Sequence, residues 1–293
     1  MGFIIEAIGL AENHNLKCTS IELAKNAGKK CLSSSCAEKN DIGLVLYISP
    51  YRDHYFAEPA FSAFVQRDLE INHDKEGCTG PKTLSIDLLN GSMGFLQGCQ
   101  VIGAMINAGR IGKGLVVSSD KIDFPMYNGE PKPCLKEQGA ALLLSKSAAE
   151  TGFNNFFYQN ISQPGSYESH IIFKDGKFSL SFKQSPSIIK IYIDAISGTV
   201  QEYLKNNGTD LSAFDFIIPP QISQEFVSSF ADALKLEQDK VVDVTHKEGD
   251  LYNASLPVAM DHIIKNGSVE PGKKALIVSV GAGIQVGCAV YNF

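Results

Sequence analysis

Residues 83–108 constrain the fold more than any other stretch of the chain. A short apolar run, 83–86, leads into Asp87-Leu88-Leu89-Asn90-Gly91-Ser92-Met93-Gly94-Phe95, and a long apolar segment, 96–108, follows. The pattern predicts a strand, a tight glycine-flanked junction and a helix apolar almost all round, which only the middle of a domain accommodates. A hydroxyl side chain between glycines at such a junction projects toward a pocket. Backbone N–H groups at the helix start can hold an oxyanion or a thioester carbonyl there. The same residues, Gly91-Ser92-Met93-Gly94, also read as a plain turn with Ser92 as the helix N-cap.

Around this junction the chain alternates strands and helices. Strands are predicted at 3–9, 43–48, 115–118, 139–145, 216–218, 275–279 and 287–293, and several are continuous apolar runs of the kind buried on both faces. Helices are predicted at 21–31 behind a Ser20 cap, at 59–69 opened by Pro59, and at 188–206, 224–234 and 256–266. Residues 151–185 read as less regular, with a hairpin signal at Asp175-Gly176. Buried helix, then Gly109-Arg110-Ile111, then Leu115-Val116-Val117-Ser118 is echoed by helix, Gly267-Ser268-Val269, then Leu276-Ile277-Val278-Ser279. Two similar α/β halves, 1–150 and 151–293, follow from the echo.

Charge and cysteine usage exclude several classes. The net charge is −6 with no basic run, so nucleic acid is not an expected partner. No uninterrupted apolar stretch of about 18 residues occurs, so no bilayer span is expected, and the N-terminus lacks the pattern of a signal peptide. Seven cysteines, an odd number without a CxxC pair, suit reduced thiols in a cytoplasm, with Cys99 and Cys288 as core residues. The six histidines, among them His54, His246 and His262, show no ligand spacing, so no metal is expected.

The chain resembles the thiolase superfamily and, within it, β-ketoacyl-ACP synthase III and its relatives. Residues 87–95 are similar to the family's nucleophile segment, Asp-x-x-x-x-Cys-x-Gly-Phe. Residues 115–120 resemble its Leu-Val-x-x-Ser/Ala-Asp/Glu strand, and residues 267–287, with Pro271-Gly272 and Gly281-Ala282-Gly283, its closing strands. The resemblance implies a duplicated thiolase fold with α-β-α-β-α layers, an obligate dimer, and an acyl carrier protein or acyl-CoA as partner in fatty-acid or polyketide-type biosynthesis. It also implies no bound cofactor. Phe56 falls where a family loop reaches into the partner's acyl pocket. The loop 50–56, with Tyr51, Tyr55 and Phe56, is therefore expected to be a contact surface.

The departures bear on activity. Ser92 stands where the family has its catalytic Cys, Pro220 in Pro219-Pro220-Gln221 where it has His, and Asp250 after Gly249 where it has Asn. The segment that helps the family bind the CoA nucleotide is mostly absent. Condensation needs an acylated thiolate and two hydrogen-bond donors for the extender carbonyl and its enolate. Proline supplies neither a side-chain donor nor an N–H. An ionised aspartate accepts and would repel an enolate, and a serine hydroxyl needs a base. Backbone N–H groups at Ser92 and near Gly283 could preserve part of an oxyanion hole.

Two functions are compatible with this. One is a non-catalytic or weakly catalytic subunit, as a homodimer or paired with a competent ketosynthase III-like chain. The other is an acyltransferase or thioester hydrolase that uses Ser92, with Asp250 and His246 as candidate helpers. In the plainer reading Pro220 only ends a strand and Asp250 only opens a turn.

Overall fold

Buried apolar runs alternating with amphipathic helices build a layered α/β body. The computed structural model describes residues 2–13, 18–53, 58–72, 82–147, 150–267 and 269–293. The first part holds β1 (Phe3–Glu12), α1 (Ser20–Ser33), β2 (Ile42–Tyr47), α2 (Phe61–Leu69), β3 (Leu84–Asp87), α3 (Gly94–Asn107), β4 (Lys113–Asp120) and β5 (Gln138–Lys146). The second holds β6 (Gly152–Asn160), a hairpin of β7 (Tyr167–Lys174) and β8 (Lys177–Gln184), α4 (Ile188–Asn207), β9 (Phe216–Ile218), α5 (Gln224–Leu234), α6 (Ser255–Lys265), β10 (Lys274–Gly281) and β11 (Gln285–Asn292).

The strand order is β3-β2-β4-β5-β1-β6-β11-β10-β9. The two ends of this sheet repeat one pattern. β2 pairs in parallel with β3 and β4, β4 pairs antiparallel with β5, and β5 antiparallel with β1. In the second part β9 makes a parallel bridge to Val241 and pairs in parallel with β10. β10 then runs antiparallel to β11, and β11 to β6. The two copies join at the single register pair Phe3↔Phe153. This is the duplicated arrangement expected from the repeat.

Three apolar clusters define the layers. α1 and α2 cover one face of the first sheet through Leu23, Ala27, Phe61 and Val65, against Val45, Leu115 and Leu143. α4 and α5 cover the second sheet through Ile196, Tyr203, Phe226 and Phe230, against Leu276 and Val286. α3 and α6 lie between, with Leu96, Cys99, Ile102, Ala259 and Met260 packed among residues of both sheets, including Leu142 and Ile277.

Several local expectations need correction. Thr19, not Ser20, caps α1: its side chain accepts from the Glu22 N–H while Glu22 reaches back, and Ser20 is buried inside the first turn. Residues 151–185 are not irregular. They form the hairpin signalled at Asp175-Gly176 and also β6, which sequence patterning missed because β6 buries only its first residues and alternates weakly. The hairpin turn sits at Asp175-Gly176, both with positive φ, as a type I′ turn requires. α3 is not apolar-facing throughout, since Gln100, Ala104 and Asn107 form a narrow outward stripe. His54, Tyr55 and Phe56 lie outside the described residues. Tyr51 is no contact surface: it is 3% exposed and packs with Ile122, Leu180 and Tyr252.

The central helices sit very close to the sheets. A Cβ on Gly103 would lie 2.0 Å from the Phe3 ring. That ring is stacked on Phe153 and Phe156, so it has little freedom to move aside. Gly→Ala within a helix gains about 1 kcal/mol of propensity, but overpacking costs about 1–3 kcal/mol. Gly103→Ala is therefore expected to lower stability by up to about 2 kcal/mol, read as a lower urea midpoint at unchanged m. A higher midpoint would show that the helix–sheet contact is looser than described.

Candidate functional site

The site forms where three chain segments meet at one end of the central helix layer. The first is the junction from β3 to α3. Asp87 closes β3 and caps α2: its carboxylate accepts from the Phe61 and Ser62 N–H groups at 3.0 and 2.8 Å and pairs with the Arg52 guanidinium at 2.9 Å. The opening Asp of the motif thus has a structural task. Asn90 then donates to Gln97 and Gln285, both at 2.8 Å, and ties the turn to β11.

Ser92 is the middle residue of a single 3-10 turn, Gly91–Met93, entered through Gly91 at φ +52°. It does not cap α3, whose first N–H groups have no side-chain acceptor. Its hydroxyl donates instead to the Val280 carbonyl of β10, at 2.5 Å. Gly281 packs beside it: a Cβ there would stand 3.5 Å from the Ser92 Oγ. Gly283, expected near the oxyanion position, lies in the turn between β10 and β11 at φ +123°.

The second segment ends β9. Pro219-Pro220 terminates the strand, and Pro220 lines the cavity. Gln221 is fully buried and holds this end in place. Its amide donates to the Pro219 and Val242 carbonyls, both at 2.9 Å, and its carbonyl accepts from the Val244 N–H at 2.8 Å.

The third segment precedes α6. Asp250 is clamped by its backbone to Cys134 and Lys136, and its Oδ1 accepts the Tyr252 N–H at 2.7 Å. Tyr252 takes a left-handed conformation at φ +47°. Beyond it, Asn253 donates to the buried Asp120 at 3.2 Å, while the second Asp120 oxygen has no partner among the described residues.

These segments enclose a cavity of about 890 Å3 whose walls include Ser92, Pro220, His246 and Asp250. Ser92, Pro220 and Asp250 therefore face one space. His246 is half-exposed there, its Nδ1 accepting the Glu248 N–H at 3.2 Å, and no hydrogen bond joins it to Ser92 or Asp250. Sequence reasoning missed the tyrosines. Tyr167, Tyr192 and Tyr252 also line the cavity, and Tyr51 hydrogen-bonds Tyr167 through its hydroxyl at 2.5 Å. Tyr192 reads in sequence as a core position of an amphipathic helix, and Tyr167 comes from the hairpin. Only Tyr252, two residues from Asp250, carried a local signal.

Burial sets the charge of the site. It pushes Asp250 up to about 7, against the lowering pull of the Tyr252 N–H. It pushes Asp120 up to about 7 as well, opposed by bonds from Asn253 and Ser49 and reinforced by the charge of Asp250. Burial also raises the hydroxyls of Tyr51, Tyr167, Tyr192 and Tyr252, which stay protonated as donors. The expectation of a permanently charged Asp250 is corrected: near neutrality it carries a proton for much of the time. Among the described residues no three His, Cys, Asp or Glu side chains converge as a metal site, and no helix is long and apolar enough to cross a membrane.

The raised carboxyls predict a pH effect on stability. Unfolded aspartates titrate near 4, so the native state holds more protons between about pH 4 and 7. Stability falls as pH rises through that window and levels off above it. Asp120→Asn removes one of these titrations, so the variant should gain on the parent between about pH 5 and 8. Thermal melts at both pH values measure this, and a parallel shift at both would mean that Asp120 is ionised throughout.

Comparison with known proteins follows this geometry. The family model for 3-oxoacyl-[acyl-carrier-protein (ACP)] synthase III C terminal matches residues 204–293. β-Ketoacyl-[acyl-carrier-protein] synthase III of Blochmanniella floridana is 26% identical, over 99% of this chain and 90% of its own length. The crystal structure of 3-oxoacyl-(acyl carrier protein) synthase III from Pseudomonas aeruginosa PAO1 superposes with a TM-score of 0.83 at 18% identity, covering 100% and 98% of the two chains. Xanthomonas campestris OleA, solved with bound lauric acid and lauroyl-CoA, superposes with a TM-score of 0.79 at 16% identity over 100% and 99%.

Proposed function

We propose that this chain, a β-ketoacyl-[acyl-carrier-protein] synthase III-like protein of the thiolase superfamily, binds an acyl thioester without condensing it and works as one half of a dimer. The observation that carries the reading is the Ser92 hydroxyl, which donates its proton to the Val280 carbonyl. A serine nucleophile needs that proton taken by a base, and a peptide carbonyl is not one. His246 makes no bond to Ser92, and Pro220 brings no donor. The cavity combines apolar wall from Leu135, Phe182, Ile188, Ile189 and Ile222 with polar groups, the character of a ligand site. The likeness to a protein solved with lauroyl-CoA supports an acyl ligand.

Acyl transfer through Ser92 has one observation in its favour: Ser92 lines the cavity just before the N-terminus of α3. Intact mass separates the two readings. After incubation with octanoyl-ACP and octanoyl-CoA the mass is expected to stay unchanged, and Ser92→Cys to gain no condensing activity with malonyl-ACP. An octanoyl adduct lost in Ser92→Ala would establish the transferase instead.

The dimer rests on the edge of the sheet. β3 is the outermost strand, and Leu84, Ile86 and Leu89 beside its free edge are 49%, 41% and 47% exposed. An apolar open edge is an aggregation hazard unless another chain covers it. Light scattering is expected to give twice the chain mass, alone or with a related chain that keeps Cys, His and Asn. Ile86→Lys should shift the species toward monomer. A soluble monomer at micromolar concentration that ignores such a partner would overturn this.

A further inference from the structure

Two polar groups in the cavity lack a full set of partners. Tyr192, on α4, is 7% exposed and lines the cavity, and among the described residues no hydrogen-bond partner reaches its hydroxyl. Asp250 uses Oδ1 for the Tyr252 N–H, and no described donor reaches Oδ2. Tyr192 and Asp250 line the same cavity, and the charge of Asp250 acts on the Tyr192 hydroxyl. That region adjoins the Ser92 turn, because a Cβ on Gly91 would stand 3.1 Å from the Tyr252 hydroxyl. Neither atom is shut away from the cavity, so a ligand seated there can supply the missing partner of each.

The chemistry narrows the ligand. A tyrosine hydroxyl offers a donor, and a carboxyl accepts when ionised and donates when protonated. A hydroxyl both donates and accepts, so it satisfies Tyr192 and Asp250 together in either state of the carboxyl. A methylene satisfies neither, and a site built to hydrogen-bond a hydroxyl discriminates against the analogue that lacks it. Leu135, Phe182, Ile188, Ile189 and Ile222 supply apolar wall for the remaining chain. Resting on the reading that the cavity takes an acyl thioester, we infer that the acyl group it selects carries a hydroxyl close to the thioester, held between Tyr192 and Asp250.

The test titrates the full chain calorimetrically with octanoyl-pantetheine and 3-hydroxyoctanoyl-pantetheine. The hydroxylated thioester is expected to bind about tenfold more tightly, the scale of one added hydrogen bond to a charged group. Tyr192→Phe removes one oxygen from the cavity wall and should reduce that ratio to about twofold or less, as should Asp250→Leu. A parent protein that binds both thioesters equally sinks this inference alone, since water would then satisfy the pair. So does a preference that survives Tyr192→Phe. If neither thioester binds, the acyl-binding reading itself fails with it.

Discussion

The two halves of one long sheet share one layer of helices, and that closeness governs the rest of the structure. α3 must approach the strands on either side nearly at backbone contact, which the chain meets with glycine where a side chain would collide. Gly103 faces the Phe3 ring, and Gly94 faces Ile48 and Asn253. With the helices held so closely, the turns that lead into them have fixed positions. The turn before α3 brings Ser92 to the end of β10, and the loop before α6 brings Asp250 to the same end of the layer. The end of β9, anchored by the buried Gln221, supplies Pro220.

The chemistry of the cavity follows from enclosure. Two carboxyls that would be anions in water are held near the midpoint of their titration, and the tyrosine hydroxyls around them are kept protonated. Among the described residues no histidine is bonded to Ser92 or Asp250, and the serine hydroxyl is spent on a carbonyl. Around Ser92 the lining offers the hydroxyls of Tyr167, Tyr192 and Tyr252, and Glu130, Lys132, Lys183 and Lys247 are its other charged members. It suits recognition of a polar group on an otherwise apolar ligand better than removal of a proton from a nucleophile.

The sequence by itself determined the architecture. Buried strands alternate with amphipathic helices, the span of β9 and that of α5 are readable from local pattern alone, and the motif at 87–95 marks the strand-to-helix junction. It also singled out Ser92, Pro220 and Asp250, on a motif resemblance, as positions to locate in the fold. Only the tertiary structure decided what those residues touch. The Ser92–Val280 bond spans 188 positions, and the protonation of Asp250 depends on enclosure by segments around 134, 192 and 252. Tyr192 has the spacing of a core residue, and no periodicity shows that its hydroxyl opens onto a cavity. Hydrophobic pattern encodes which face of an element is buried, whereas the partner of a buried polar atom is set by contacts distant in sequence.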